Sequence, residues 1–420
     1  MITKRIKFLF AILAVLLTAQ IFQAQAAGQS RLKATEQLQQ GTGSDKWAKL
    51  EGFHHNPEDN PVFQVLALAE ESIDIEIYKM ADPDIHAMLR KAINRKPDPI
   101  RVRIIKDPNT AGELCRYFEP ISSKDTEDCQ DQKNLVAEIR ASPGGEFVPF
   151  NGKKLCKGRN KKGRPKNCFQ HGKLILIDGK HALLSTGNFD ITSSCNLKRN
   201  PKVCNRDFSY ITSDPEVVKT LSEIFENDLA GEWYDLETYF TESISGKLTI
   251  SPFSLEPLVA FINRAQKSIR IVNQYLKEKT INDALKDKAA ENIKIQAMVA
   301  SLCSSGKPKN KRSAMALFGG FDDSGIPIRM FTSSMKVRGQ PGYLHAKAIV
   351  IDDVYAWIGS INGSELAVSA NREFGIFFDR PADVKRLIKI LDADYSAPES
   401  ETWEESLACK KDCFPFVSED

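Results

Sequence analysis

Gln170-His-Gly-Lys-Leu-Ile-Leu-Ile-Asp178 returns in type as Leu344-His-Ala-Lys-Ala-Ile-Val-Ile-Asp352. After six intervening residues, each copy carries a small tetrapeptide ending in Asn, Ser185-Thr-Gly-Asn188 and Gly359-Ser-Ile-Asn362. A third block, Asn205-Arg-Asp-Phe208, recurs as Asn371-Arg-Glu-Phe374. Blocks repeated in one order identify a duplicated unit before any secondary structure is assigned. Period 2 puts His171 and Lys173 on one face at the start of a strand. Leu174 to Ile177 then reads as a strand buried on both sides, as parallel sheets require.

Upstream, Ala69-Glu-Glu-Ser-Ile-Asp-Ile-Glu-Ile-Tyr78 matches Ala265-Gln-Lys-Ser-Ile-Arg-Ile-Val-Asn-Gln-Tyr275. A helix-like stretch follows each (Ile85 to Ile93; Ile281 to Ala289), then another strand (Ile100 to Ile105; Ile293 to Val299), which is a βαβ pattern. The first copy is longer by about 22 residues between this block and the His, and that insertion region holds Cys115, Cys129, Cys156 and Cys168. The expected organisation is a first domain over 51–235 and a second over 236–395. A segment 27–50 precedes them, a tail 396–420 follows, and a linker lies near Glu232 to Ser251.

Taken singly, each polar residue has an ordinary structural reading, and His54, His55, His86 and His181 keep it. The repeated sets do not, because burying the same polar groups twice is costly unless they act together. His171, Lys173, Asp178 and Asn188, with His345, Lys347, Asp352 and Asn362, resemble the paired HKD signatures of the phospholipase D superfamily. The resemblance runs from about Phe53 to Asp394, with one departure: Ser185-Thr186-Gly187 stands where Gly-Ser-x is usual.

That resemblance implies an α/β fold: two pseudo-twofold-related α/β/α sandwich units, mixed sheets flanked by helices, sharing one site within a monomer. It also implies a mechanism in which His171 attacks phosphorus and His345 does the acid and base work. Lys173, Lys347, Asn188 and Asn362 would hold the phosphate oxygens, as a charged transition state demands. Asp207 and Glu373 match the family's carboxylates that bind the far nitrogen of each His. Thr186 and Ser360 are supporting residues, while Asp178 and Asp352 hold the fold or orient neighbours. No cofactor and no metal is implied, since the two Lys and two Asn supply the charge stabilisation a metal gives elsewhere.

The chain opens with a basic start (Lys4, Arg5, Lys7), an apolar run Phe8 to Leu17 and the small-x-small pattern Ala24-Gln25-Ala26. This reads as a signal peptide over 1–26 and predicts a secreted or periplasmic protein. Of 58 basic and 55 acidic residues three basic ones fall in the leader, so the remainder balances. Indiscriminate nucleic-acid binding is therefore not expected, and polyanion affinity must come from local clusters. Nine Cys, all beyond the leader, agree with an oxidising compartment. Neighbour pairing gives Cys115 with Cys129, Cys156 with Cys168, Cys195 with Cys204 and Cys409 with Cys413, leaving Cys303 as a buried thiol.

The motif names the bond and not the molecule. The Cys156–Cys168 loop carries Lys157, Arg159, Lys161, Lys162, Arg164 and Lys166 without an acid, and Lys307 to Arg312 is a second basic run. Such clusters suit an anionic membrane or a nucleic-acid backbone. Phe169 is the only aromatic beside the loop, which gives little support to base stacking. Phe147, Phe150, Phe318 and Phe321 could form an apolar rim for lipid or belong to the core. Among superfamily members, small exported nucleases typically carry one motif and dimerise. The expectation is thus an exported phosphodiesterase acting on a phospholipid at a membrane surface. An exported nuclease is the alternative, and a non-catalytic polyanion-binding protein a minor one.

Overall fold

The computed structural model describes residues 43–56, 60–110, 115–156, 168–303 and 314–408. The chain divides after Leu50 into two bodies. The first is described over the helix Gly43–Leu50, and the second contains both sequence copies. The leader, the basic stretches 157–167 and 307–312, and Cys409 and Cys413 lie outside the described residues.

The first copy supplies β1 (Gly52–Asn56), β2 (Ser72–Ile77), β3 (Arg101–Lys106), β4 (Glu146–Pro149), β5 (Lys173–Ile177), β6 (His181–Ser185) and β7 (Cys204–Thr212). The second supplies β8 (Leu248–Ser251), β9 (Ser268–Asn273), β10 (Lys294–Ala300), β11 (Ile328–Phe331), β12 (Lys336–Val337), β13 (Gln340–Leu344), β14 (Ala348–Ile351), β15 (Tyr355–Gly359), β16 (Glu373–Phe378) and β17 (Glu401–Thr402). One sheet runs β12-β13-β7-β6-β5-β2-β3-β4, with β1 on β7; the other runs β17-β11-β10-β9-β14-β15-β16-β8. Both contain a parallel β-strand trio (β2-β3-β4; β9-β10-β11) next to an antiparallel meander, so the sheets are mixed, as expected.

Two details differ from expectation. The His-Lys strand β5 is antiparallel to both neighbours, β2 and β6, and not part of the parallel section. Its apolar run is buried because helices cover both faces of the sheet, which masks the alternation of an ordinary antiparallel strand. The presumed linker also ends early. Leu248–Ser251 is β8, paired antiparallel with β16 as β1 pairs with β7, so the second sheet begins inside it.

One core is contributed by both copies. Val217, Leu221, Ile224 and Phe225 of the helix Pro215–Ala230 meet Leu174 and Leu176 of β5; Val384, Leu387 and Leu391 of the helix Pro381–Tyr395 join the same cluster with Ala348 and Val350 of β14. Asp214 caps the first helix through the backbone N–H of Glu216 and Val217, and Gly231 in a left-handed conformation ends it. Phe147, Phe150, Phe318 and Phe321 are all buried, so they form no apolar rim. Cys115–Cys129, Cys156–Cys168 and Cys195–Cys204 are disulfides between sequence neighbours. Cys303 is not a free thiol: it too is disulfide-bonded.

Candidate active site

Each motif His is carried at the seam between copies. The backbone N–H groups of His171 and Gly172 donate to Arg372 O at 2.8 and 2.9 Å, and Gln170 bridges Arg372 in parallel fashion. In the other half β13 pairs in parallel with the start of β7, and His345 N–H donates to Arg206 O at 3.2 Å. The residues leading into each His thus lie beside the Asn-Arg-acid-Phe block of the opposite copy. The acid that follows the Arg is then placed under the opposite imidazole.

The result is a crossed pair. His171 Nδ1 is 2.8 Å from Glu373 Oε2, and His345 Nδ1 is 2.9 Å from Asp207 Oδ1. All four side chains are buried, the two carboxylates completely. An Nδ1–H donated to a carboxylate fixes the tautomer and leaves Nε2 for chemistry. Burial pulls the His171 pKa below its ordinary value, outweighing the attraction of Glu373, and Lys173 pushes the same way as burial. Burial opposes the Glu373 charge, but His171 and Lys173 outweigh it and hold that carboxyl below the usual range.

The other predicted residues cluster about this pair in two matching sets. Lys173 and Lys347 are fully buried, and each donates its Nζ to the carbonyl oxygen of its own motif His, Lys173 at 2.6 Å. Asn188 and Asn362 are buried just beyond β6 and β15. Thr186 Oγ1 donates to Asp207 Oδ1 at 2.8 Å and accepts Phe208 N–H; Ser360 Oγ accepts Phe374 N–H at 3.1 Å. A Cβ on Gly187 would stand 2.5 Å from Asp207 Oδ2, which explains the smallness of that tetrapeptide.

Asp178 and Asp352 stand apart from this cluster. Both occupy left-handed turns (φ 55° each) at the far end of their strands, a conformation Asp tolerates better than most residues. Asp178 Oδ1 accepts the backbone N–H of Glu71 and Ser72 at 2.7 and 2.8 Å, and Asp352 Oδ1 accepts those of Lys267 and Ser268 at 2.7 and 3.0 Å. They tie each motif hairpin to the start of β2 or β9. The six basic residues of the Cys156–Cys168 loop lie outside the described residues.

Several participants carried no assigned role in the sequence. The ring of Tyr78 lies 4.9 Å from that of His171, and its register counterpart in the second copy is Gln274, so the repeat carried no signal for it. Gln170 donates to Glu76 Oε2 at 3.1 Å. Burial, then the charge of Asp228, push the Glu76 carboxyl well above the usual carboxylate range. Arg372 forks onto Asp228 at 2.7 and 3.1 Å, and Arg206 reaches Asp394 at 2.9 Å; both pairs are buried and both cross between copies. Asn371 donates to Glu373 Oε1 at 3.1 Å. Among the described residues no group of three or more His, Cys, Asp or Glu is disposed to hold a metal ion. No described helix is long and apolar enough to cross a membrane.

Comparison with known proteins follows the same two halves. The family described as "Cardiolipin synthase, PLD-like domain" matches residues 62–229 and 258–395. Among curated proteins, a probable cardiolipin synthase of Bacillus subtilis is 23% identical over 342 residues, 78% of this chain and 61% of its own. A cardiolipin synthase of Halalkalibacterium halodurans is 24% identical over 346 residues, 77% of this chain and 61% of its own. The chain therefore spans about three-fifths of the length of these relatives. Among solved structures, the phosphatidylserine synthase of Haemophilus influenzae superposes with a TM-score of 0.57 at 12% identity, over 84% of this chain and 88% of that one. The polyphosphate kinase of Porphyromonas gingivalis gives 0.54 at 14% identity, over 86% of this chain and 53% of that one. These two likenesses concern the fold. Two motif copies in one chain, their crossed imidazole–carboxylate pairs and a family match over both halves together make this chain a member of the phospholipase D superfamily.

Proposed function

We propose that the protein is an exported phospholipase D-type phosphodiesterase that cleaves a phospholipid phosphodiester bond through a phosphohistidine, with water or an alcohol as acceptor. The observation that carries this reading is the crossed pair, His171 with Glu373 at 2.8 Å and His345 with Asp207 at 2.9 Å. Displacement at phosphorus in two steps needs one neutral imidazole to attack and one protonated imidazole to release the leaving oxygen. Burial favours the neutral form of His171, which suits the nucleophile.

In the first step His171 Nε2 bonds to phosphorus while the bond to the leaving oxygen breaks and His345 gives that oxygen its proton. In the second, His345 takes a proton from water or an alcohol, whose oxygen displaces His171. Lys173 and Lys347, with the amides of Asn188 and Asn362, hold the non-bridging oxygens and offset the charge of each transition state. Because cations of the chain itself supply that charge, the reaction is expected to proceed without a metal. The phospholipid class is supported by the family match and by the names of the curated relatives. Export is supported by the leader-like residues 1–26 and by the three described disulfides.

The test is a side-by-side assay of purified protein in EDTA on mixed phospholipid vesicles, plasmid and single-stranded DNA, with His171→Ala as the blank. Headgroup release by the parent and none by the variant is the expected result. DNA nicking with silent vesicles would replace phospholipid by nucleic acid as the substrate. A variant as fast as its parent would sink the mechanism.

A further inference from the structure

The two halves of the site differ at one pair of equivalent corners. Counting from Ser72 and Ser268, the register of β2 with β3 sets Lys106 opposite Ile77, and that of β9 with β10 sets Val299 opposite Asn273. Lys106 and Val299 are therefore equivalent positions at the strand ends beside the site. In the first copy the corner is filled. Lys106 is buried with its Nζ 4.0 Å from the centre of the Tyr117 ring; Tyr117, inside the Cys115–Cys129 loop, donates its hydroxyl to Met80 O at 2.6 Å.

In the second copy the described residues leave the corner open. A cavity of about 320 Å³ is bounded by Leu276, Val299, Ala300, Leu302, Leu317 and Phe318. Lys277 is the one charged residue on its described lining, and its Nζ lies over the Tyr275 ring at 4.4 Å. An apolar void costs stability and does not hold water well, so keeping one where the sister corner is plugged calls for an occupant. Its volume lies at the lower end of small-molecule pockets, which run from about 300 to 1,000 Å³.

The cavity wall is joined to the site. Gly363, next after Asn362, accepts the backbone N–H groups of Lys277 and Glu278 at its carbonyl, at 2.6 and 2.8 Å. A Cβ on Gly363 would stand 2.4 Å from Tyr275 O, so wall and motif are in direct contact. Gln274, also on the lining, donates to the hydroxyl of Tyr343, two residues before His345.

We propose that this cavity seats one acyl chain of the substrate, so that the second copy grips the apolar part of a phospholipid whose phosphodiester lies between His171 and His345. The inference rests on the phospholipid reading above and deepens it. It also divides the labour between the copies, with an aliphatic seat in the second where the first places a cation under an aromatic ring.

The test uses phospholipids presented as monomers, dibutanoyl and dioctanoyl phosphatidylglycerol, and reads the ratio of their kcat/KM values. The parent should prefer the longer chains, by up to about fourfold for each methylene the cavity buries. Leu317→Trp, which fills the cavity, should cut that preference tenfold or more, and Leu317→Ala, which enlarges it, should move the optimum to longer chains; thermal melts report folding of both. A preference unchanged by both folded variants would overturn the acyl seat while leaving the phospholipid reading intact. A parent that cleaves neither lipid but does cleave bis(p-nitrophenyl) phosphate would overturn the reading and the seat together.

Discussion

Glu373 tests the crossed arrangement most directly, because it belongs to one copy and serves the imidazole of the other. Its carboxylate raises the His171 pKa while burial lowers it, and the net position is below the ordinary value. If His171 attacks as the neutral ring, the acid limb of kcat/KM lies below pH 6.5. Glu373→Gln removes the raising influence, so the limb should move to lower pH, and kcat should fall about 10²- to 10⁴-fold as orientation and imidazolium stabilisation are lost. A limb that moves upward would contradict the assignment. The residue types of this site were legible in the sequence, since the repeat singled out His, Lys, Asn and an acid twice. Their partnership was not. Glu373 follows His171 by 202 positions and Asp207 precedes His345 by 138, and only the parallel pairing across the seam decides which acid meets which ring. Tyr78 escaped notice for a related reason, since its register counterpart is Gln274 and repetition could not mark it.

At the scale of elements, the final Asp of each motif has a role that its spacing alone does not reveal. Asp178 and Asp352 receive neighbouring backbone N–H groups from the residues that enter β2 and β9, in matching geometry. Hydrogen bonds to a charged acceptor are worth about 1.5–3 kcal/mol each, with large non-additivity in a shared site. Asp178→Ala and Asp352→Ala should therefore each cost about 2–4 kcal/mol, read as a lower urea midpoint. A midpoint equal to the parent's for either would show that the tie is dispensable. The βαβ portions were readable because their helices and β-branched strands alternate clearly. The antiparallel insertion of β5 was not, since a strand covered on both faces loses the alternation that separates the two kinds of sheet. Likewise β8 was hidden inside a presumed linker, because four residues are too short a run to distinguish from a loop. Cys303 has no neighbouring Cys in sequence, so spacing carried no signal that it is disulfide-bonded.

Across the whole second body, the two copies are held by matched cross-pairs, Arg206 with Asp394 and Arg372 with Asp228, each Arg sitting directly before a site carboxylate. The seam is thus also what positions the chemistry, which makes its response to acid informative. His55 on β1 is buried and receives a hydrogen bond from the Arg206 guanidinium. Burial, then the charges of Arg206 and Arg386, lower its pKa from 6.5 to about 3. The folded protein therefore refuses a proton that the unfolded chain binds below pH 6.5. Stability from this group is fully present above pH 6.5, falls as the pH drops through the unfolded value, and levels off near pH 3. The slope approaches about 1.4 kcal/mol per pH unit, and the full span has a ceiling on the order of 5 kcal/mol. His86, His171 and His181 are lowered too, chiefly by burial, so some acid sensitivity belongs to them. His55→Gln keeps an acceptor for Arg206 and removes the titration. Urea unfolding at steps between neutral pH and pH 4 should then show a shallower loss in the variant, by up to one proton's worth of slope. Equal slopes would mean that His55 takes up its proton while folded, and that the seam around Arg206 gives way locally before the protein unfolds.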